Sequence, residues 1–309
     1  MGRRVLAIAG GVGGAKLALG LYRTLPSADL TVIVNTGDDD VFHGLHVSPD
    51  LDTVMYTVAG VSNREQGWGL EGETFRTMER LGVLGGETWF RLGDRDLATH
   101  LRRTELLASG LTLSQVTLEL CSRLGVACTV APMADEPVRT MVETDEGELA
   151  FQRYFVERRC EPRVKGVRFQ GAECARPSPA FRESLDAADV LVFCPSNPFV
   201  SIGPVLAVPG VRDAIAGFRG TRVAVSPIIG GQAVRGPAAK MFAELGEEAS
   251  CTAVALRYRG LCDVFVLDET DASSADAIEK LGMTAVVAPT LMVSEEDKAR
   301  LARVVVEAA

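Results

Sequence analysis

Four segments of the chain concentrate residue types that handle phosphates and cations. The first is Gly10-Gly11-Val12-Gly13-Gly14-Ala15-Lys16. Glycines let backbone amides approach a phosphate closely, and a helix opening behind them favours negative charge. Gly11, Val12, Gly13, Gly14 and Lys16 are therefore candidate ligands of a phosphate or nucleotide, and a side chain at Gly13 is expected to occupy space that ligand needs. The segment matches neither common fingerprint. A dinucleotide loop wants glycine where Lys16 stands, and a Walker A loop wants Gly-Lys-Ser/Thr where Ala15-Lys16-Leu17 stands. The competing reading is a tight strand-to-helix turn with no ligand.

The second segment pairs Asp38-Asp39-Asp40 with Ser48-Pro49-Asp50-Leu51-Asp52. Clustered carboxylates suit Mg²⁺, a hard cation that takes oxygen ligands, and Asp38, Asp39 and Asp50 are its candidates. Helix capping explains the same residues: Ser48 or Asp50 as N-cap of a helix through Thr53–Val58, with Pro49 in its first turn. Asp52 cannot also be the cap if Asp50 is, so Asp52 is the better candidate for chemistry. The third segment, Trp89 to Asp96, crowds charges around Gly93 before Leu97-Ala98-Thr99-His100. Asp94 capping a following helix, or a solvated ion-paired turn, accounts for part of it. His100 has no paired nucleophile in the sequence and reads as a helix-surface or packing histidine. The fourth comprises Pro195-Ser196-Asn197-Pro198 and Ser226-Pro227-Ile228-Ile229-Gly230-Gly231, the latter leading to Arg235-Gly236-Pro237. Ser196, Asn197, Pro198, Ser226 and Gly230 join the nucleotide-binding candidates. Each loop alone reads as a proline turn. All of them at strand ends point to one crevice, because in open α/β sheets ligands bind outside the carboxyl ends of the strands.

The elements behind these segments are short β-branched runs and helical stretches. Val5–Ala9 runs into the glycines, a helical pattern covers about Ala15–Thr24, and Leu30–Asn35 is a second strand. Strand, glycine turn, helix, strand is the signature of a parallel, doubly wound sheet. It returns at Val190–Cys194, Arg222–Val225, Val264–Leu267 and Ala285–Ala288, before a terminal helix capped by Ser294. Helical patterns at Thr74–Arg80, Leu97–Ala108 and Ser114–Leu124 fill a helix-rich insertion at about 61–135. Met141–Phe155 alternates around Asp145-Glu146-Gly147, a hairpin signal, so about 136–180 reads as a small appended antiparallel sheet. The expected fold is a single α/β domain, Rossmann-like, its core at about 1–60 and 186–309.

Composition narrows the partners. With 41 acids against 32 bases the net charge is -9, which argues against a nucleic-acid surface. An anionic ligand would then be met locally, by amides, a few placed cations and a divalent metal. The seven cysteines are scattered without a CxxC pair, so neither zinc ribbon nor disulfide framework is indicated, and a reducing cytoplasm is expected. Gly10–Lys16 interrupts the apolar start, which argues against a signal peptide, and no apolar run reaches membrane-spanning length.

Taken together, the segments resemble the 2-phospho-L-lactate transferase family of deazaflavin coenzyme F-420 biosynthesis. The resemblance is carried by GGVGGAKLALGL at Gly10–Leu21, VNTGDDD at Val34–Asp40, SPDLDTVMY at Ser48–Tyr56 and RLGDRDLATH at Arg91–His100. It continues in PSNP and VSIGP at Pro195–Pro204, SPIIGG at Ser226–Gly231 and LDE at Leu267–Glu269, in family order over nearly the whole chain. It implies a Mg²⁺-dependent transfer from a guanosine diphosphate ester of lactate or enolpyruvate to the ribityl hydroxyl of 7,8-didemethyl-8-hydroxy-5-deazariboflavin, with GMP leaving. It puts the acceptor-binding positions at Asp52 and Arg91, with Asp52 also catalytic, and implies a homodimer working on small molecules. A related family of nucleotide-sugar-binding regulators shares the glycine-rich start. Its members typically carry an Asp-Asp-Gly-Gly-Ser-Ser-Gly-like segment where Asn35-Thr36-Gly37-Asp38-Asp39-Asp40 stands here. A nicotinamide oxidoreductase is disfavoured by the incomplete dinucleotide fingerprint.

Overall fold

The computed structural model describes residues 2–309. Its centre is a seven-stranded sheet with every pairing parallel. In chain order the strands are β1 (Val5–Ala9), β2 (Leu30–Val34), β3 (Thr129–Pro132), β4 (Val190–Phe193), β5 (Thr221–Val225), β6 (Val264–Leu267) and β7 (Thr284–Val287). Across the sheet they lie β7-β6-β5-β4-β1-β2-β3. The order reverses between β1 and β4, so this doubly wound sheet has its switch point there.

Both faces of the sheet are apolar, which is why the strands read as continuous β-branched runs. Leu6, Ile8, Ile33, Leu191, Phe193, Ala224 and Phe265 enter one core cluster. Their neighbours Val5, Ala7, Ala9, Val32, Val34, Val190, Val192, Val223 and Val225 enter the other. The second cluster packs under the helices Gly11–Thr24, Pro49–Ala59, Leu113–Arg123 and Glu295–Glu307. The last of these approaches the first at Gly20, where a Cβ would overlap the Lys298 carbonyl. The other cluster lies under shorter helices and an antiparallel sheet of Gly147–Ala150, Arg139–Thr144 and Val164–Gln170. Among the described residues, no helix is long and apolar enough to cross a membrane.

Three readings of the sequence need correction. Thr129–Pro132 lies within the stretch read as helix-rich, yet it is the edge strand beside β2. Proline is tolerated there because an edge strand need not donate on its outer side. The hairpin pattern does not run to Phe155: the second strand ends at Ala150, and Arg153–Glu157 is a π-helical turn. Phe151 and Tyr154, three residues apart, are both buried, a helical spacing rather than an alternating one. The first helix begins at Gly11, so the glycine cluster is the helix's own first turn rather than a loop before it.

Candidate active site

A cleft of ≈ 590 Å³ opens at the carboxyl ends of the central strands. One wall is built from backbone at the switch point. Gly10 N–H donates to Ser196 Oγ at 3.1 Å, and that hydroxyl donates back to Gly10 O at 2.9 Å, tying the end of β1 to the loop after β4. Gly11 has φ +63, a left-handed backbone that favours glycine. A Cβ on Gly13 would overlap the Pro195 carbonyl, and one on Gly14 would lie 2.7 Å from Ser196 Oγ. The glycines at 13 and 14 are therefore required by contact between protein segments. A side chain at Gly13 would thus meet the Pro195 carbonyl, whatever space a ligand also needs there.

Three buried carboxylates, Asp38, Asp50 and Asp52, face the cleft. Asn35, at the end of β2, lies between two of them: its Nδ2 donates to Asp50 Oδ2 at 2.9 Å and to Asp38 Oδ1 at 3.3 Å. Gln152 Nε2 donates to the other Asp38 oxygen at 3.2 Å. Burial, then the neighbouring Asp50 and Asp39 charges, push the Asp38 carboxyl well above the ordinary carboxylate range. Burial likewise lifts Asp50 to about 6, against the pull of hydrogen bonds from Asn35 and the Gly11 amide. Asp39 does not line the cleft; Ser48 Oγ donates to it at 2.7 Å and His46 Nε2 lies 3.2 Å away. Ser48 thus stands at the N-cap of Pro49–Ala59 but caps nothing, and Asp50 and Asp52 sit in the helix's first turn.

Asp52 belongs to a second buried network. Arg103 holds both its oxygens, Nη2 on Oδ1 and Nη1 on Oδ2, the latter at 3.0 Å. Arg103 Nη1 also lies 3.2 Å from His100 Nδ1. His100 Nε2 lies 3.3 Å from Asp96 Oδ2 without an aligned hydrogen bond, and Tyr56 Oη donates to Asp96 Oδ1 at 2.6 Å. Asp52, Asp96 and His100 each present a ligand atom within 4.8 Å of one another, close enough to hold a metal ion. His100 is buried and lines the cleft, contrary to the helix-surface alternative for it.

The facing wall comes from the two long crossovers. Trp89, Phe90 and Arg91 line it from the β2–β3 crossover, and Phe151, Gln152 and Phe155 from the β3–β4 crossover. Phe90 stacks on Phe42 at 3.9 Å, Trp89 meets both edge-on, and the Arg91 guanidinium lies 4.0 Å over the Phe75 ring. With Val47, Met78 and Leu92 these residues form a small core of their own. Asp94 is not the cap of its own helix. It accepts from the amides of Arg76 and Thr77, both at 3.0 Å, at the start of Arg76–Val83. Glu73 returns the bond, accepting from Arg95 N at 2.9 Å and Asp96 N at 2.8 Å at the start of Asp96–Ala108. Each helix start is capped from the other's flank.

The cations of the cleft are Lys16, Arg91 and Arg235, and none has a carboxylate partner within salt-bridge distance among the described residues. Lys16 Nζ donates to Met292 O at 2.8 Å, and burial followed by Arg235 pulls its pKa down. Arg235 bonds only peptide oxygens, those of Gln66 and Glu65. The LDE segment has a supporting role. Asp268 accepts from Thr290 N at 2.8 Å and Thr290 Oγ1 at 3.0 Å, fixing the segment after β7 that carries Met292.

This arrangement of glycine loop, acid cluster and strand-end loops has counterparts among known proteins. The profile of 2-phospho-L-lactate transferase CofD matches residues 5–305. The chain belongs to the 2-phospho-L-lactate transferase family. It is 46% identical over 99% of its length, and 98% of the relative's, to a phosphoenolpyruvate transferase of Streptomyces griseus. It is 42% identical over 98% of its length, and 100% of the relative's, to a 2-phospho-L-lactate transferase of Methanosarcina mazei. Among solved structures, protein BH3568 of Bacillus halodurans superposes with a TM-score of 0.65 over 99% of both chains at 16% identity, a likeness of fold. As a member of this family the chain is a transferase.

Of the residues expected from the sequence, this transferase brings Gly11, Val12, Gly13, Lys16, Asp38, Asp50, Asp52, Arg91, Ser196, Asn197 and Ser226 to one cleft. Gly14, Asp39, Pro198 and Gly230 stay outside it. The Gly230 amide donates instead to Asp271, at 3.0 Å and 3.1 Å. Several polar side chains serve their own loops. Asn197 Oδ1 accepts from Phe199 N at 2.9 Å, and Ser226 Oγ donates to Ile228 O at 2.8 Å. Tyr56, Asp96 and Arg235 lie in segments singled out from the sequence but have no role assigned there, and Arg103 and Gln152 are not singled out at all. Only the spacing of Asp96, His100 and Arg103 on one helix face could have signalled part of that group.

Proposed function

We propose that this chain transfers a phospholactyl-type group, 2-phospho-L-lactate or phosphoenolpyruvate, from a guanosine diphosphate ester to the ribityl hydroxyl of 7,8-didemethyl-8-hydroxy-5-deazariboflavin, releasing GMP. Mg²⁺ assists, and the product feeds coenzyme F-420 biosynthesis. The observation that carries the reading is a single cleft in which an amide-rich switch point and unpaired Lys16 and Arg235 face an aromatic wall across buried carboxylates. The first suits a diphosphate, the second a flat heteroaromatic ring.

In this reading the donor's diphosphate lies against Gly11, Val12 and Gly13, with Lys16 and Arg235 as counter-charge in an otherwise acidic protein. Asp38 and Asp50 fit a hard divalent cation. Both are buried toward the cleft, both accept from neutral amide donors, and burial pushes both carboxyls up. When bound, Mg²⁺ would neutralise phosphate charge that grows as GMP departs. Asp52 accepts a hydrogen bond from the ribityl hydroxyl and orients its oxygen at the distal phosphorus. That P–O bond forms, the P–O bond to GMP breaks with its electron pair going to the GMP phosphate, and the hydroxyl proton passes to solvent water. Arg91 holds polar groups of the acceptor, and the faces of Trp89, Phe90 and Phe155 bury its ring.

The test is mass spectrometry of the product made from the deazaflavin alcohol with lactyl-, enolpyruvyl- or glyceryl-diphosphoguanosine and Mg²⁺, with GMP release followed in parallel. One phosphodiester product and stoichiometric GMP are expected. No product from any of the three donors would sink the reading.

A further inference from the structure

Arg103 has no place in the reading above, yet it is the largest fully buried side chain of the molecule. Burying a guanidinium costs several kcal/mol unless a well-aligned anion repays it. The anion is Asp52, met in the two-point fork that only arginine offers. Asp52 lines the cleft whereas Arg103 lies behind it. The histidine is part of the same network: His100 Nδ1 lies 3.2 Å from Arg103 Nη1, and His100 Nε2 lies 3.3 Å from Asp96 Oδ2. Asp96 in turn is tied by Tyr56 Oη at 2.6 Å. Two helices supply the whole set, Asp52 and Tyr56 from one and Asp96, His100 and Arg103 from the other.

We infer that Arg103 is the fixed counter-cation of Asp52, a positioning residue that holds the carboxylate by both oxygens and leaves its outward lone pairs as hydrogen-bond acceptors for the acceptor's hydroxyl. The inference rests on the reading of Asp52 as the acceptor's partner. It makes Asp52 an orienting group, its two oxygens fixed by the guanidinium. It also gives the Asp52, Asp96 and His100 group its cation from within the protein. A divalent ion there would compete with Arg103 for the same Asp52 oxygens, whereas among the described residues Asp38 and Asp50 have no cationic partner within salt-bridge distance.

The test compares Asp52→Asn, Arg103→Lys, Arg103→Met and the Asp52→Asn/Arg103→Met double variant by steady-state kinetics, with calorimetric GDP affinity alongside. Arg103→Met is expected to lower kcat/KM for the deazaflavin alcohol at least tenfold while GDP affinity stays within twofold. Arg103→Lys keeps the charge but not the fork and should fall between it and the wild type. The double variant should be no slower than Asp52→Asn alone, because on this inference Arg103 reaches the acceptor through that carboxylate. An Arg103 that merely supports the fold would lower GDP affinity too, and its effect would multiply with that of Asp52→Asn; either result overturns the inference, as does an unchanged Arg103→Met enzyme. If Arg103→Met does not fold, Arg103→Lys and the double variant, which leaves no unpaired buried acid, decide by the same criteria. If Asp52→Asn alone keeps wild-type acceptor kinetics, it is the reading of Asp52 that fails, and the Arg103 single variants show separately whether the guanidinium matters.

Discussion

The two walls of the cleft are made by different physics. The wall at the switch point is backbone: glycines pressed on the Pro195–Ser196 loop, hydroxyls bonded to peptide groups, and a helix start behind them. The facing wall is side chain. It hangs on a small aromatic core and on two helix starts capped by each other's flanking acids, Glu73 and Asp94. A backbone wall tolerates no added atoms, so substitutions there should act on the fold and the donor together. A side-chain wall can lose one group at a time, so substitutions there should act on the acceptor alone.

The largest effect is expected where the walls meet, at the carboxylates. Asp50→Asn, or stripping divalent metal with EDTA, should lower turnover by at least ~10²-fold, on the scale of losing one strong electrostatic contact to the transition state. Full turnover after metal removal would break the assignment. The pH behaviour has a definite sign. The Asp50 carboxyl is raised to about 6 by burial, so the folded protein holds that proton longer than the unfolded chain does. Its contribution to stability is full below the ordinary carboxylate range and is lost as pH rises through about 6. Melting temperature of the metal-free protein should therefore fall more between pH 4.5 and 7 in the wild type than in Asp50→Asn. Above that range Mg²⁺ should restore the wild type and leave Asp50→Asn unchanged, since only the ionised carboxylate binds metal.

Next in size is Gly13→Val. The added Cβ overlaps the Pro195 carbonyl, a backbone atom that cannot rotate away, so the first helix or the β4 loop must shift. A stability loss of about 2–4 kcal/mol is expected, in the range of an overpacked core. A GDP affinity at least tenfold weaker should accompany it. A variant that folds at wild-type stability yet loses GDP would restore the view that Gly13 is glycine for the ligand's sake.

The contrast between walls also explains what the sequence made legible. The backbone wall is local: a β-branched run, then glycines or prolines, repeated at Ala9–Gly14, Phe193–Pro198 and Val225–Gly231, so each piece can be read within ten residues. The acid cluster is legible for the same reason, because Asp38 and Asp50 flank one short hairpin, Asp40–Phe42 paired with Leu45–Val47. The other wall depends on partners far apart in the chain. Arg103 meets Asp52 across 51 residues, Gln152 meets Asp38 across 114, and Glu73 caps a helix that begins 23 residues later. None of these residues forms a motif with its neighbours. The edge strand Thr129–Pro132 was missed for a related reason, since four residues ending in proline look like a loop until β2 is beside them.

The smallest and most selective effect should come from Glu73, which touches neither substrate in the proposed reading. Its two oxygens accept from Arg95 N and Asp96 N, first amides of the helix that carries Asp96, His100 and Arg103. Glu73→Ala leaves those amides to water and removes the carboxyl packed against Gly93. The cost should be about 1 kcal/mol, the usual worth of a helix cap. The helix start would loosen, and with it the Trp89–Asp96 segment that presents Arg91 and the aromatic rings. The acceptor's KM is therefore expected to rise about two- to fivefold, the equivalent of ~0.4–1 kcal/mol of binding, with GDP affinity unchanged. Steady-state kinetics at saturating donor, with calorimetric GDP titration on the same preparation, separates the two walls. An equal loss on both substrates would mean that the walls move as one body, and the division drawn between them would fall.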